Sequence, residues 1–302
     1  MLNDLLAKIR YKVRYGTQVE WFNFLYLLTR KKHVYIPKIA SIDETIDKII
    51  KDKCSISRFG DGEVMLTLSH KNIRYQVGSE ELASKLTEVL TSNVEGHLIG
   101  LSDVFCDLYR YNRKARRFWR THFYLFENLW LDRLNPNKQY YNTFVSRPYM
   151  DFADRSHSLE WFQHMKQIWQ DRDVVFIEGA KSRLGVGNDL FDNARTIRRI
   201  IGPPQNAFEK RNEIIREASK LNKDVLIILA LGPAATILAY ELHKLGYQSL
   251  DMGHVDVEYE WCRMGATQKV NLATKNVNEV SGGHTVQDAG DLYRSQIIAR
   301  IE

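Results

Sequence analysis

Apolar positions along this chain recur either at helical spacing or in short continuous runs, and the two patterns alternate. Near the start, Leu2, Leu5, Leu6, Ile9 and Val13 recur every three or four residues with Lys8, Arg10, Lys12 and Arg14 between them. The aromatic cluster Trp21, Phe22, Phe24 and Tyr26 follows. Ser41-Ile42-Asp43-Glu44 reads as a capping box, and Ile42, Ile46, Ile49 and Ile50 then share one face, which predicts a helix to about Lys53. Cys54 to Phe59 reads as the first strand, residues 80 to 92 as an amphipathic helix, and 104 to 133 as a long aromatic-rich helical region with many arginines. Asp173 to Glu178 has the continuous apolar character of a buried strand. A βαβ unit runs from Asp224 to Gly253: a strand at Val225 to Leu231, a Gly232-Pro233 helix start, Gly246 just past the last periodic residue, and a strand at Tyr247 to Met252. There is no internal repeat or low-complexity segment. The order of elements predicts an α/β fold with a mostly parallel sheet flanked by helices, divided into a basic amphipathic helical segment over 1–38 and a Rossmann-like body over 39–302.

Composition narrows the classes. At 302 residues, 44% hydrophobic and 26% charged, the chain has no signature of wholesale disorder. Cys54, Cys106 and Cys262 are far apart and in no CxxC or Cys/His spacing, which argues against a disulfide framework or structural zinc site and suits a reducing cytoplasm. Trp21 to Leu28, the longest apolar run near the start, falls well short of the ~20 residues of a spanning helix, and no signal peptide is expected. The net charge of +6 is concentrated in residues 8 to 32 and in Arg110 to Arg120. Such patches attract anions of any kind, and no nucleic-acid partner is expected. The N-terminal pattern fits both an amphipathic helix on the inner face of a membrane and a helix packed on the body with its basic face in water.

The candidate chemistry starts at Ser57-Arg58-Phe59-Gly60-Asp61-Gly62-Glu63. Here two carboxylates, Asp61 and Glu63, sit one residue apart in a glycine-bracketed loop after a strand. Both can face one Mg²⁺ or Mn²⁺, ions that take one or two carboxylates and leave other positions to water and substrate phosphate. The same residues also fit an ordinary solvated turn. Arg58 reads either as a phosphate contact or as a strand-end salt bridge. After the 173–178 strand, the loop from Gly179 to Asp189 resembles a phosphate cradle without a Walker motif. In it Gly185 and Gly187 allow close backbone approach, Lys181 and Arg183 supply charge, and Ser182 and Asn188 supply directional hydrogen bonds. Gly232 and the amides of Ala234 to Thr236 offer a helix N-terminus to an anion, but the G-x-G-x-x-G spacing is missing, so NAD is weakly supported. Asp251 to Trp261 gathers six ionisable side chains within ten residues, a place for a general base or second metal contact. If this stretch is extended, His254, Asp256, Glu258 and Glu260 share one face.

Taken together, SRFGDGE at 57–63, RPY at 147–149, SRLGVGNDLF at 182–191, GPAA at 232–235, DMGHVDVEYEW at 251–261 and KNVNEV at 275–280 resemble the GT-D glycosyltransferases, formerly domain of unknown function 1792. The resemblance implies a single Rossmann-like domain and sugar transfer in bacterial surface-glycan and adhesin glycosylation. An Asp-x-Glu pair, here Asp61 and Glu63, would take part in divalent-metal and UDP-sugar binding, with UDP-glucose the donor by analogy. Arg58, Gly60, Lys181, Ser182, Arg183, Gly185, Asn188, Gly232 and His254 would complete the nucleotide site. Glu258, then Asp256, would be the base if transfer inverts the anomeric carbon. The acceptor would be a glycan, a glycopeptide or a lipid-linked sugar, with peripheral contacts to the membrane or to other glycosyltransferases. Two readings compete: another Rossmann-type enzyme such as a methyltransferase, with its cofactor at Gly232 to Thr236 and its ribose on Asp251, and a non-catalytic protein that holds partners at a membrane face.

Overall fold

The continuous apolar runs become interior strands of one parallel sheet. A computed structural model describes residues 2–29, 35–68, 70–277, 279–280 and 288–301, with side chains from residue 16 onward in the first of these segments. The chain opens with helix α1 (Leu2–Thr29), strand β1 (Lys38–Ile39), α2 (Ile42–Asp52), β2 (Ser55–Phe59), α3 (Asp61–Leu66), α4 (Glu80–Thr91) and β3 (His97–Leu101). It continues through α5 (Arg113–Leu131), β4 (Gln139–Asn142), α6 (Ser158–Trp169), β5 (Asp173–Gly179), β6 (Thr196–Gly202) and α7 (Arg211–Ala218). It closes with β7 (Leu226–Ala230), α8 (Pro233–Lys244), β8 (Gln248–Asp251), α9 (Val255–Arg263), α10 (Gly290–Ser295) and β9 (Ile297–Arg300). The sheet order is β1-β4-β3-β2-β8-β7-β5-β6-β9, and its described pairings are all parallel.

Local chemistry explains the boundaries. The capping box starts α2: Ser41 Oγ accepts from the Glu44 amide at 3.1 Å, and Glu44 Oε2 accepts from the Ser41 amide at 2.7 Å. Lys53, at φ 50°, ends it. Val174 to Ile177 in β5 and Leu226 to Leu229 in β7 have no solvent exposure, as expected for strands with helices on both faces. The expected helix over 104–133 begins later than its composition suggested. Two short 3₁₀ turns occupy 103–105 and 108–110, and α5 starts only where Asn112 Oδ1 accepts from the Lys114 and Ala115 amides. The acid-rich stretch after β8 is helix α9 rather than an extended segment. Its residues from Val255 to Tyr259 are all buried, and burial on every side removes the periodicity by which a helix is recognised in sequence.

The connectivity creates a binding crevice. The chain leaves β2 toward β3 on one side of the sheet, and leaves β8 toward β9 at the far edge on the other. The neighbouring C-terminal ends of β2 and β8 therefore flank a topological switch point, where open α/β sheets hold their ligands. α5 forms one wall of this region and carries α1 on its other side. Phe22 of α1 stacks on Tyr124 at 5.6 Å, Thr121 Oγ1 donates to the Val19 carbonyl at 3.1 Å, and Arg117 pairs with Glu20.

Within α5, Trp130 Nε1 donates to His122 Nε2 at 2.8 Å, and burial pushes the His122 pKa down from 6.5 to about 4. Between those two values the unfolded chain binds a proton that the native state excludes, so stability rises with pH across this window. The expected loss for wild type on going from pH 7 to pH 5 is about 2 kcal/mol larger than for His122→Gln, which still accepts from Trp130 but does not titrate. Urea unfolding at the two pH values checks this.

Candidate active site

β2 ends at Phe59, and the backbone turns at Gly60, whose N–H donates to Glu63 Oε2 at 2.9 Å. That bond folds the acidic segment back on itself, so Asp61 and Glu63 lie in the first turn of α3 and not in an open loop. Both line a cavity of about 620 Å³ at the C-terminal edge of the sheet, together with Arg58, Asp251, Gly232, Gly179 and Ser102 from the ends of five strands. Burial, with Asp251 and Asp61 nearby, raises the Glu63 pKa to about 7, and burial also raises that of Asp61. The crevice thus holds carboxylates whose charge is under-compensated, which favours a cation there. Among the described residues no group of three His, Cys, Asp or Glu side chains is gathered to hold a metal. A cation at Asp61 and Glu63 would therefore draw most of its coordination from water and substrate oxygen, the habit of Mg²⁺ and Mn²⁺.

Arg58 proves to be a strand-end clamp. Its Nη2 donates to Asp251 Oδ1 at 2.7 Å, its Nε to the Asp251 carbonyl at 2.5 Å, and its Nη1 to Ser146 Oγ. Asp251 Oδ2 accepts from Thr236 Oγ1 at 3.2 Å. Arg58 and Asp251 thus lock β2 to β8 across the switch point, and Asp251 is already engaged, which counts against a ribose-binding role in a methyltransferase.

The cation facing the acidic pair is Arg147, present in sequence only as part of the RPY motif. It lines the cavity, donates to Glu279 at 2.8 Å and lies 3.9 Å from Glu258. Burial alone would lower its pKa, but Glu279, Glu258 and Asp151 outweigh that and raise it. Lys269 pairs with the same Glu279 at 2.5 Å. Although burial acts the other way, Arg147 and Lys269 hold Glu279 well below the usual carboxylate range. His254 lies on the cavity wall at φ 72°, its pKa pushed down to about 3 by burial and by Arg147, so its ring is neutral. Arg147 and Glu279 are 132 positions apart, which is why no local pattern revealed the pair.

Glu258 and Asp256 lie on α9, which points them in different directions. Glu258, fully buried, is absent from the cavity wall; it accepts from the Met150 amide at 2.7 Å and backs Arg147, with burial raising its pKa to about 7. Asp256 reaches the wall but is held by Asn188 Nδ2 at 2.6 Å and Lys275 Nζ at 2.9 Å. Of the two, Asp256 alone faces the cavity, and its carboxylate is already engaged by Asn188 and Lys275.

The glycine-rich loop divides similarly. Lys181 and Ser182 line the cavity, whereas Arg183, Gly185 and Asn188 do not. Gly185, at φ +76°, makes its close approach to the Phe191 ring, where an added Cβ would lie 3.2 Å away. Arg183 donates to the Thr274 carbonyl, and Asn188 bridges Asp256 and Glu260. At the other side, Ala234 to Thr236 are fully buried and only Gly232 lines the cavity, so the α8 N-terminus is not an open anion site.

Tyr75 covers that N-terminus. A Cβ on Gly232 would lie 2.8 Å from the Tyr75 ring, and φ is +57°. The Tyr75 carbonyl accepts from the Asn206 amide at 3.0 Å, which joins the 73–77 segment to the loop at Pro203 to Asn206 as one wall. Neither segment carried a sequence signal. Gly232→Ala is expected to cost about 1–3 kcal/mol in backbone strain and to displace Tyr75, checked by thermal unfolding and nucleotide affinity.

The model of the glycosyltransferase GT-D fold family matches residues 56–280, three quarters of the chain. The protein belongs to this family. The chain is 41% identical over 273 residues to Glycosyltransferase GlyD of Streptococcus pneumoniae serotype 4, covering 90% of this chain and 33% of that protein. It is 42% identical over 268 residues to Probable glycosyl transferase Gly of Streptococcus gordonii, covering 87% and 39%. The chain therefore spans about a third to two-fifths of the curated relatives it matches. Among solved structures, a domain of unknown function 1792 described as having a distinct glycosyltransferase fold superposes with a TM-score of 0.84 at 38% identity, covering 95% of this chain and 99% of that one. A glycosyltransferase from Streptococcus sanguinis gives the same score at 39% identity over 88% of this chain and all of that one. The open parallel sheet with flanking helices is thus the GT-D fold, and the Asp61/Glu63 segment lies within the GT-D match.

Proposed function

We propose that this GT-D protein is a metal-dependent glycosyltransferase that moves a hexose, first of all glucose from UDP-glucose, onto a glycan, glycopeptide or lipid-linked sugar in bacterial surface-glycan synthesis. The observation that carries the reading is the placement of Asp61 and Glu63 at the β2/β8 switch point opposite Arg147. Tyr75 and the 203–206 loop form the wall against which a nucleoside packs, while Lys181, Ser182 and Arg147 face its diphosphate. Asp61 and Glu63 would hold Mn²⁺ or Mg²⁺, which when bound neutralises the diphosphate leaving group. Transfer breaks the bond from the anomeric carbon to diphosphate oxygen, which leaves with the electron pair, and forms one to the acceptor hydroxyl oxygen, whose proton passes to the departing diphosphate. Glu258 and Glu279 keep Arg147 aimed at the charge that develops on the departing diphosphate. Phe118 and Trp119 of α5, with Phe144, give the cavity an aromatic side suited to the apolar face of an acceptor sugar.

A panel of UDP-, GDP- and dTDP-linked hexoses, assayed for nucleotide release with Mn²⁺, tests the donor class. UDP-glucose is expected to be consumed at least tenfold faster than the GDP- or dTDP-sugars. Consumption of a non-uridine donor alone would overturn the donor assignment.

A further inference from the structure

α1 leaves an apolar face open. Trp21 is 58% exposed, Phe24 48%, Leu27 48% and Leu28 62%, while Phe22 and Tyr26 on the opposite side turn toward α5. At 100° per residue, Trp21, Phe24, Leu27 and Leu28 fall within one 120° sector of the helix. Leu125 of α5 adds another exposed apolar side chain on the helix that carries α1. Scattered exposed apolar residues are ordinary, but two large aromatics and two leucines on consecutive turns form a patch that calls for a cover.

Charge identifies the cover. Residues 1–38 contain eight lysines and arginines against two carboxylates, a net +6, equal to that of the whole chain. Residues 39–302 are therefore electrically neutral overall, and the charge excess belongs to the segment that bears the apolar face. A partner protein could match either property, but a stripe of tryptophan, phenylalanine and leucine flanked in sequence by Lys8 to Arg14 on one side and Arg30 to Lys32 on the other is suited to the headgroup boundary of an anionic bilayer. There the rings enter the acyl boundary and the cations meet lipid phosphate. No described helix is long and apolar enough to cross a membrane, so the contact is one of lying on the surface.

We infer that the open face of α1, with the cations that flank it in sequence, docks the protein on an anionic lipid surface. Packed helices lie about 8–10 Å apart, so docking along α1 brings α5 close to the lipid. Lys114, Ala115, Phe118 and Trp119 of α5 line the cavity, so α5 is the wall that joins the cavity to the docking helix. The inference rests on α1 alone and stands whatever sugar the cavity takes.

The full chain is sedimented with vesicles of phosphatidylcholine alone and of phosphatidylcholine mixed with phosphatidylglycerol. The wild type is expected to bind the anionic vesicles at least tenfold more tightly than the neutral ones and to lose that preference in high salt. Trp21→Ser/Phe24→Ser/Leu28→Ser, all at exposed positions, is expected to lower binding by at least tenfold with the circular dichroism spectrum unchanged. Arg30→Gln/Lys31→Gln/Lys32→Gln, which leaves the apolar face intact, is expected to weaken binding to anionic vesicles only. The inference is overturned if the wild type ignores both vesicles, if the apolar variant binds as well as wild type, or if sedimentation equilibrium shows a dimer that the same variant abolishes, because a second copy would then be the cover.

Discussion

Asp61→Asn and Glu63→Gln are each expected to lower sugar transfer by about 10²–10³-fold, the range seen when one preorganised electrostatic contact is removed from an active site. Both changes are nearly isosteric. In Glu63→Gln the new amide oxygen can still accept from the Gly60 N–H, so the turn into α3 persists while the charge is lost. Stability is expected to move the other way. The raised pKa of Glu63 means its charged form is disfavoured in the folded state, so above the unfolded value of 4.5 that carboxylate costs stability, increasingly up to about 7. Glu63→Gln should therefore be more stable than wild type by about 1–2 kcal/mol at pH 8, after allowance for partial exposure. Loss of activity together with a higher melting temperature separates a functional carboxylate from a structural one. A variant that loses activity and melts lower would assign Glu63 to the scaffold.

Lys275→Met is expected to destabilise the fold by about 3–5 kcal/mol, because it leaves a buried charge without its partner. Lys275 is fully buried, with Nζ 2.9 Å from Asp256 Oδ2 and 3.5 Å from Glu260 Oε1, and it also donates to the Val186 carbonyl. These contacts tie the segment after α9 to the glycine-rich loop and to α9 itself. Adding Asp256→Asn removes the stranded carboxylate, so the double variant should recover part of the loss. Urea unfolding of the four proteins in the cycle measures the coupling. Strict additivity would show that Lys275 and Asp256 act independently.

What the sequence disclosed follows the range of the interactions involved. The α2 capping box, the β5 run and the Gly232-Pro233 start of α8 are set by neighbours a few residues apart, and all appear where the pattern predicts them. The register of α9 was hidden because Val-Asp-Val-Glu-Tyr-Glu alternates like a strand while every side of the helix is buried. The 179–189 loop read as one cradle, yet only Lys181, Ser182 and Leu184, with Gly179 at the strand end, reach the cavity; Asn188 is drawn to α9 by Asp256 and Glu260. Arg147, Glu279 and the wall of Tyr75 with Asn206 depend on contacts between segments more than 100 residues apart, which no local window contains. Asp61 and Glu63 were legible by residue type and by resemblance, but their placement on a short helix came from the Gly60–Glu63 bond.

The central claim is that Asp61 and Glu63 make a metal-dependent uridine-diphosphate site. Calorimetric titration of UDP into wild type and into Asp61→Asn/Glu63→Gln, each with Mn²⁺ and then with chelator, tests it most directly. The account predicts binding by wild type with Mn²⁺, lost on chelation and absent in the double variant. Equal UDP binding by wild type and variant, or binding indifferent to the chelator, would contradict it.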